Sequence, residues 1–264
     1  MLTIASRTPS PLLRCCAGAV VAWCMAGAAC ASDLIHVIAQ VKPAIVGIGT
    51  FQKTRSPAVN FVATGFVVGD GLSVISNAHG IPDLLDSENK EVLGVVVAQG
   101  EHFDFRPAEV AGIDKTHDLV HLRLTGAPLP ALQLGDSDTV PEGRSVAFTG
   151  FPLGMVLGLH HVTHRATVSA LTPVTMPSIS SRKLDVRVIA QLQKSPFSIF
   201  QLDGTAYPGN SGSPVYDPEN GEVLAVINMV FVKGLKETAI TSPSGITYAI
   251  PVNFVRTLLQ QKGQ

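Results

Sequence analysis

After residue 31 the sequence contains no cysteine, because Cys15, Cys16, Cys24 and Cys30 all lie before that point. A chain cut there has no disulfide, no thiolate nucleophile and no cysteine-held metal, so its stability must come from a packed core. Charge is sparse, at 15% of the 264 residues, and nearly balanced at a net −1. The one-signed charge of a nucleic-acid-coating protein is missing. So is the low apolar content of a disordered chain, since 46% of the residues are apolar. No later segment reads as a transmembrane helix, and no repeat or low-complexity tract occurs.

The first 31 residues stand apart from the rest. Arg7 and Arg14 supply a positive start, CCAGAVVAWCMAGAAC is an apolar stretch, and Ala29-Cys30-Ala31 is a small-x-small cleavage site before Ser32. That pattern predicts a secretory signal peptide over 1–31. Two alternatives are an uncleaved anchor over residues 15 to 31, at the lower limit for spanning, and a lipid on Cys30. Gly27-Ala28-Ala29 lacks the large aliphatic residue that lipid attachment prefers. Cleavage would leave a single folded unit, 32–264, exported and without stable membrane insertion. Its net charge becomes −3 once the two arginines are gone, so nucleic acid and anionic lipid are not expected partners.

The chain has 24 glycines and 18 prolines, which favour frequent turns over long helices. One short helix is predicted over Asp33 to Val41, where Leu34, Ile35, Ile38 and Val41 share a face and Pro43 stops it. Twelve short, β-branched runs follow, from AIVGIGTF to ITYAIPV, punctuated by Gly, Pro, Asp and Asn. They point to an all-β barrel or sandwich. After Pro251 the apolar spacing turns helical, with Val252, Val255, Leu258 and Leu259 predicting a closing helix over 252–261. The segment AQLQKSPFSI, following TPVTMPSISSRKLDVRV, is the least legible and suggests a long loop.

The chemistry concentrates in TAYPGNSGSPVYD, residues 205 to 217. Ser211 lies in a glycine-bearing turn where backbone can approach a substrate, and the N–H groups of Gly209 and Ser211 could converge on a developing oxyanion. A plain surface turn is the competing reading. A serine hydroxyl needs a base. His79 ends the run LSVISNAH, and Asp118 opens the strand LVHLRL, where its carboxylate could hold an imidazole in one tautomer. Each residue taken singly also has a plain reading, as a strand-end histidine or a turn-forming aspartate.

In the order His79, Asp118, Ser211, the three resemble the catalytic triad of the chymotrypsin-like serine proteases. The chain more narrowly resembles the protease domain of the bacterial HtrA/Deg family, through TGFVVGDGLSVISNAH, HDLVHLRL, LQLGDSDTVPEGRSVAFTGFPLG, QLDGTAYPGNSGSPV, GEVLAVIN and GITYAIPVNFVRTLL. The resemblance implies two six-stranded antiparallel β-barrels, about 44–135 and 143–252, with short terminal helices. It also implies a catalytic cleft between them, needing no metal or organic cofactor. Thr205 would form the base and Ile227 the wall of the primary specificity pocket, with no acidic side chain to attract Lys or Arg. The implied activity is an endopeptidase acting on unfolded polypeptides after small or medium apolar residues, in the periplasm or outside the cell. The family's common homotrimer is carried over as an expectation. Family members usually continue into PDZ domains, and this chain stops at Gln264 without one, so activation by such a domain in cis is not expected. Ser213 replaces the second glycine of the commoner GNSGG. Asn210 stands where animal trypsin-like enzymes carry an aspartate that pairs with a new N-terminus. The alternatives are a non-proteolytic holdase on the same fold and an esterase.

The remaining histidines are read as structural. His160 and His164 would share a strand face too far apart for easy co-ligation, with His161 pointing away. His117 and His121 fall on the strand face opposite Asp118.

Overall fold

The computed structural model describes residues 33–82, 84–99, 102–156, 158–173, 197–228 and 245–261. The predicted signal peptide and residues 190–196 of the predicted loop lie outside the described residues. Helix α1 (Asp33–Val41) leads into six strands: β1 (Ile45–Phe51), β2 (Val59–Val68), β3 (Ser73–Asn77), β4 (Val92–Gln99), β5 (His102–Asp114) and β6 (Leu119–Leu124). A second six follow, β7 (Ser145–Gly150), β8 (Val162–Pro173), β9 (Ser198–Asp203), β10 (Pro214–Tyr216), β11 (Val223–Asn228) and β12 (Ile246–Pro251), before helix α2 (Asn253–Gln260).

Each set of six strands closes into an antiparallel barrel. The first runs β1-β2-β3-β6-β5-β4 and closes where β1 pairs with β4. The second runs β10-β11-β12-β9-β8-β7 and closes where β7 pairs with β10. The all-β, two-barrel architecture with two short helices is therefore as expected. Closure removes the sheet edges that an open sheet would present to other chains.

Strand β6 shows how sequence becomes barrel. Leu122 and Leu124 point into the core with Leu119 and Val120, while the alternating His121 and Arg123 stay partly exposed. There Arg123 pairs with Asp70, and His121 and Arg123 both reach the Ser73 hydroxyl. In β1 the register shifts between Ile48 and Gly49. A Cβ at Gly49 would fall 2.3 Å from the Asn60 carbonyl, so the bulge needs glycine.

Ile45, Ile48, Phe66, Ile75, Leu119 and Leu122 fill the first barrel, and Phe148, Val168, Leu202, Val215 and Ile227 the second. The helices cross between them. Helix α1 buries Leu34, Val37 and Val41, lays Val37 and Val41 beside Gly221 of the second barrel, and leaves Ile35 exposed. Helix α2 follows the last strand of the second barrel but buries Leu258 against Gly112 of the first. Its Arg256 caps the Leu134 and Gly135 carbonyls of the interbarrel connection at 2.7 and 2.8 Å.

Strand limits differ from the sequence reading where polar residues extend a ladder. Strand β5 starts at His102 because Gln99↔His102 prolongs the β4–β5 hairpin, and β8 starts at Val162, paired with Gly150. The run EVLAVINMVF, which reads as one strand in the sequence, extends past Asn228, the last described residue of β11.

Candidate active site

Strand β3 ends at Asn77 and the chain makes one 3-10 turn over Ala78–Gly80, which carries His79 at the rim of the first barrel. Asp118 sits in the turn from β5 to β6 with a left-handed φ of 53°. That conformation is uncommon for a residue with a side chain, and aspartate is among those that adopt it most readily. The Asp118 carbonyl accepts from the Asn77 side-chain amide and the Ala78 N–H, both at 3.1 Å.

These backbone ties turn the Asp118 carboxylate onto His79. Oδ1 accepts the His79 backbone N–H at 2.8 Å, and Oδ2 lies 2.5 Å from the ring Nδ1. A carboxylate only accepts, so Nδ1 carries the hydrogen, and in the neutral ring Nε2 is left as the base. Among the described residues Nε2 has no hydrogen-bond partner. Both side chains remain partly open to solvent, at 29% and 19% exposed. Oδ2 also accepts from the Asn228 side-chain amide at 2.7 Å, reaching across from β11 of the second barrel. The sequence reading did not single out Asn228. The available signal was a lone amide closing the apolar run VLAVI.

Ser211 lies between β9 and β10, on a loop pinned from both barrels. Its carbonyl accepts the Thr64 N–H of β2 at 2.9 Å, and the next N–H, from Gly212, donates to the Ile227 carbonyl of β11 at 2.9 Å. Thr64 Oγ1 donates to the Gly209 carbonyl at 2.7 Å and accepts the Phe151 N–H at 3.1 Å. Two glycines are required by space as well as by φ. A Cβ at Gly209 (φ 100°) would meet the Phe151 carbonyl at 2.3 Å, and one at Gly212 (φ 84°) would meet the Thr64 carbonyl at 2.1 Å and Ser76 Oγ at 2.4 Å. Gly212 is thus pressed against the strand that leads into the His79 turn.

Within this loop the N–H groups of Asn210, Gly212 and Ser213 are all bonded to carbonyls. Those of Gly209 and Ser211 have no acceptor among the described residues. Two unbonded donors two residues apart, on the nucleophile's own loop, are the kind of group an oxyanion site uses. Ser211 is 7% exposed, and no hydrogen bond joins its hydroxyl to His79 among the described residues.

The other residues singled out fall as follows. Thr205 is half-buried, beside a loop tied down by Thr247, whose hydroxyl donates to the Gly204 carbonyl at 2.6 Å and accepts the Ala206 N–H at 3.0 Å. Ile227 is fully buried, packed in the second-barrel core with Ala206. Ser213 is also fully buried, and its Oγ has no partner. Its side chain fits because residue 150 is glycine, whose Cβ would fall 2.0 Å from that oxygen. Asn210 is buried with both amide atoms unpartnered.

His117 is turned away from the pair, bonded to Asp114 at 2.6 Å, and His121 reaches Ser73 at 3.0 Å. His161 bonds the Ile45 carbonyl at 3.2 Å, while His164 stacks on Phe148 with ring centroids 4.8 Å apart. Burial holds His121, His161 and His164 below the ordinary imidazole value. No group of three His, Cys, Asp or Glu side chains converges on a metal position among the described residues.

Comparison with known proteins gives the chain's family. A family model described as the trypsin-like peptidase domain matches residues 63–226. The mitochondrial serine protease HTRA2 of Drosophila pseudoobscura pseudoobscura is 27% identical over 201 residues, covering 76% of this chain and 39% of that protein. A probable periplasmic DegP-like serine endoprotease of Halomonas elongata is 28% identical over 200 residues, covering 76% of this chain and 35% of its own length. This chain therefore matches well under half the length of either relative. An HtrA-type protease solved with a tripeptide superposes with a TM-score of 0.59 at 18% identity, over 86% of this chain and 62% of that one, a likeness of fold. With a family match across most of both barrels, and with similar proteins of HtrA type, the chain belongs to the trypsin-like peptidase domain family.

Proposed function

We propose that the chain is an exported serine endopeptidase that hydrolyses peptide bonds of unfolded polypeptides through His79, Asp118 and Ser211. The observation that carries this reading is the His79 Nδ1 to Asp118 Oδ2 contact of 2.5 Å, which leaves Nε2 as the base, in the turn after the strand whose Ser76 lies against Gly212, the residue next to Ser211. His79 takes the Ser211 proton as the hydroxyl oxygen attacks the substrate carbonyl carbon, and Asp118 stabilises the imidazolium formed. The N–H groups of Gly209 and Ser211 hold the tetrahedral oxyanion. His79 then gives its proton to the leaving amine. Water, deprotonated by the same ring, releases the acyl group and restores Ser211. The chain's own side chains supply every proton transfer in this scheme.

Thr205, which carries no charge to pair with, favours small or medium apolar side chains before the cleaved bond, and Ile227, fully buried in the second-barrel core, adds apolar surface behind the pocket's lining. The DegP-like relative is described as periplasmic, which supports a periplasmic location together with the leader pattern of residues 1–31. None of the described helices is long and apolar enough to cross a membrane. A homotrimer is proposed from the family resemblance.

The test incubates the protein and Ser211→Ala with casein and a fluorophosphonate. Fragments and covalent label that vanish together in the mutant are expected. Labelling without peptide cleavage would replace the endopeptidase with an esterase. Suppressed aggregation of unfolded chains with neither activity would leave a holdase.

A further inference from the structure

The β5–β6 turn is built from its outer side by a contact that the catalytic scheme leaves unused. Asp114 ends β5 and folds back on the turn. Its Oδ1 accepts the Thr116 and His117 N–H groups at 3.0 and 3.1 Å, and its Oδ2 bonds His117 Nδ1 at 2.6 Å. The His117 ring lies flat on Phe254 of helix α2, with centroids 3.8 Å apart and planes 17° from parallel. Phe197, just before β9, packs edge-on against both rings, at 4.5 and 5.4 Å. The residue after this clamped histidine is Asp118, at φ 53°.

We propose that His117 is a positioning residue for the His79–Asp118 pair, fixing the Asp118 turn against helix α2. The inference rests on the triad reading above. A residue held in a sparsely populated backbone region stays there only when its surroundings over-determine it. On the C-terminal side Asn77 and Ala78 hold the Asp118 carbonyl. On the N-terminal side the restraint is His117, fixed through its backbone and its ring by Asp114 and through stacking by Phe254. Asp114 is the charged side chain bonded to the His117 ring, while α2 and the start of β9 present aromatic faces to it. The closing helix, far along the chain, thereby reaches the residue next to the triad carboxylate. Small displacements of a catalytic group cost rate steeply, so the link acts on turnover more than on substrate affinity.

The test uses the full chain and three variants. His117→Leu removes the Asp114 bond and the stack, His117→Phe keeps a ring on Phe254, and Phe254→Leu alters the stack from the helix side. Two readouts are followed: the low-field proton resonance of the His79 Nδ1–H bonded to Asp118, and kcat against KM on a peptide substrate. In His117→Leu the resonance should shift or broaden and kcat fall about tenfold with KM within about twofold. His117→Phe should recover most of the lost rate, and Phe254→Leu should resemble His117→Leu in milder form. If His117→Leu does not fold, Phe254→Leu carries the comparison. An unchanged resonance and kcat in folded variants, with only the melting temperature lowered, overturns the proposal and leaves a structural clamp. A wild-type protein that shows the resonance but neither cleaves nor takes up label ends the protease reading, and the resonance still decides the role of His117.

Discussion

Asp118 is held by five donors from two barrels: the His79 backbone and ring, the Ala78 backbone and the side-chain amides of Asn77 and Asn228 share its carboxylate and carbonyl between them. The Asn228 amide bonds the same oxygen that faces the imidazole, so it fixes that oxygen's direction toward the ring. Asn228→Ala should lower kcat by about tenfold to a hundredfold with a small change in KM, read by steady-state kinetics on one peptide. Asn228→Asp should be worse, because a second carboxylate would face Asp118. Ser213 differs in kind. Its buried hydroxyl has no partner, so Ser213→Ala should leave stability unchanged or raise it by about 1 kcal/mol, measured by urea unfolding. Ser213→Val should be strongly destabilising, since Gly150 leaves room only for a small side chain.

At the scale of elements, much was readable because the apolar runs are short and bounded. The predicted helix over Asp33 to Val41 and the twelve strands correspond to observed elements, with the shifts occurring where a ladder continues through polar residues such as His102. The His79 turn and the Asp118 strand start were visible as residues. Their coupling was not, because it depends on a left-handed φ at Asp118 and on an amide from β11, neither of which has a local pattern. Asn77, Thr64 and Asn228 were hidden inside strands that read as apolar. A buried polar residue in such a strand is the signal to look for. Helix α2 gives a prediction of its own. Leu258 packs on Gly112, so Leu258→Ala should cost about 2–5 kcal/mol in denaturant unfolding. The loss should also loosen the helix that bears Phe254.

For the molecule as a whole, acid is the informative stress. His161 and His164 are held below the ordinary imidazole value of 6.5 by burial, so the unfolded chain takes up protons before the folded one does. A depressed histidine contributes stability that is present above 6.5 and falls as the pH drops through the interval below it. Glu91, bonded to Thr50 and Arg55, is lowered from 4.5 to about 2, and its contribution is lost in the lower interval between those values. Unfolding midpoints measured from neutrality downward should therefore decline in two stages. His164→Phe, which keeps a ring on Phe148, should flatten the first stage and leave the second. An unaltered first stage in that variant would assign it to other groups.

The second barrel closes through its shortest strand. Strand β10 spans only Pro214–Tyr216 and pairs with β7 and β11 at once, directly after the Ser211 loop. Few ladder bonds need to break to open that seam, while the β8–β9 pairing and the whole first barrel stay intact. Amide hydrogens of β10 should accordingly exchange with solvent sooner than those of β11 or β2. The nucleophile loop is then the first part of the site to come apart under mild stress, and His79 and Asp118 remain as a folded half-site able to regain function when the seam closes again.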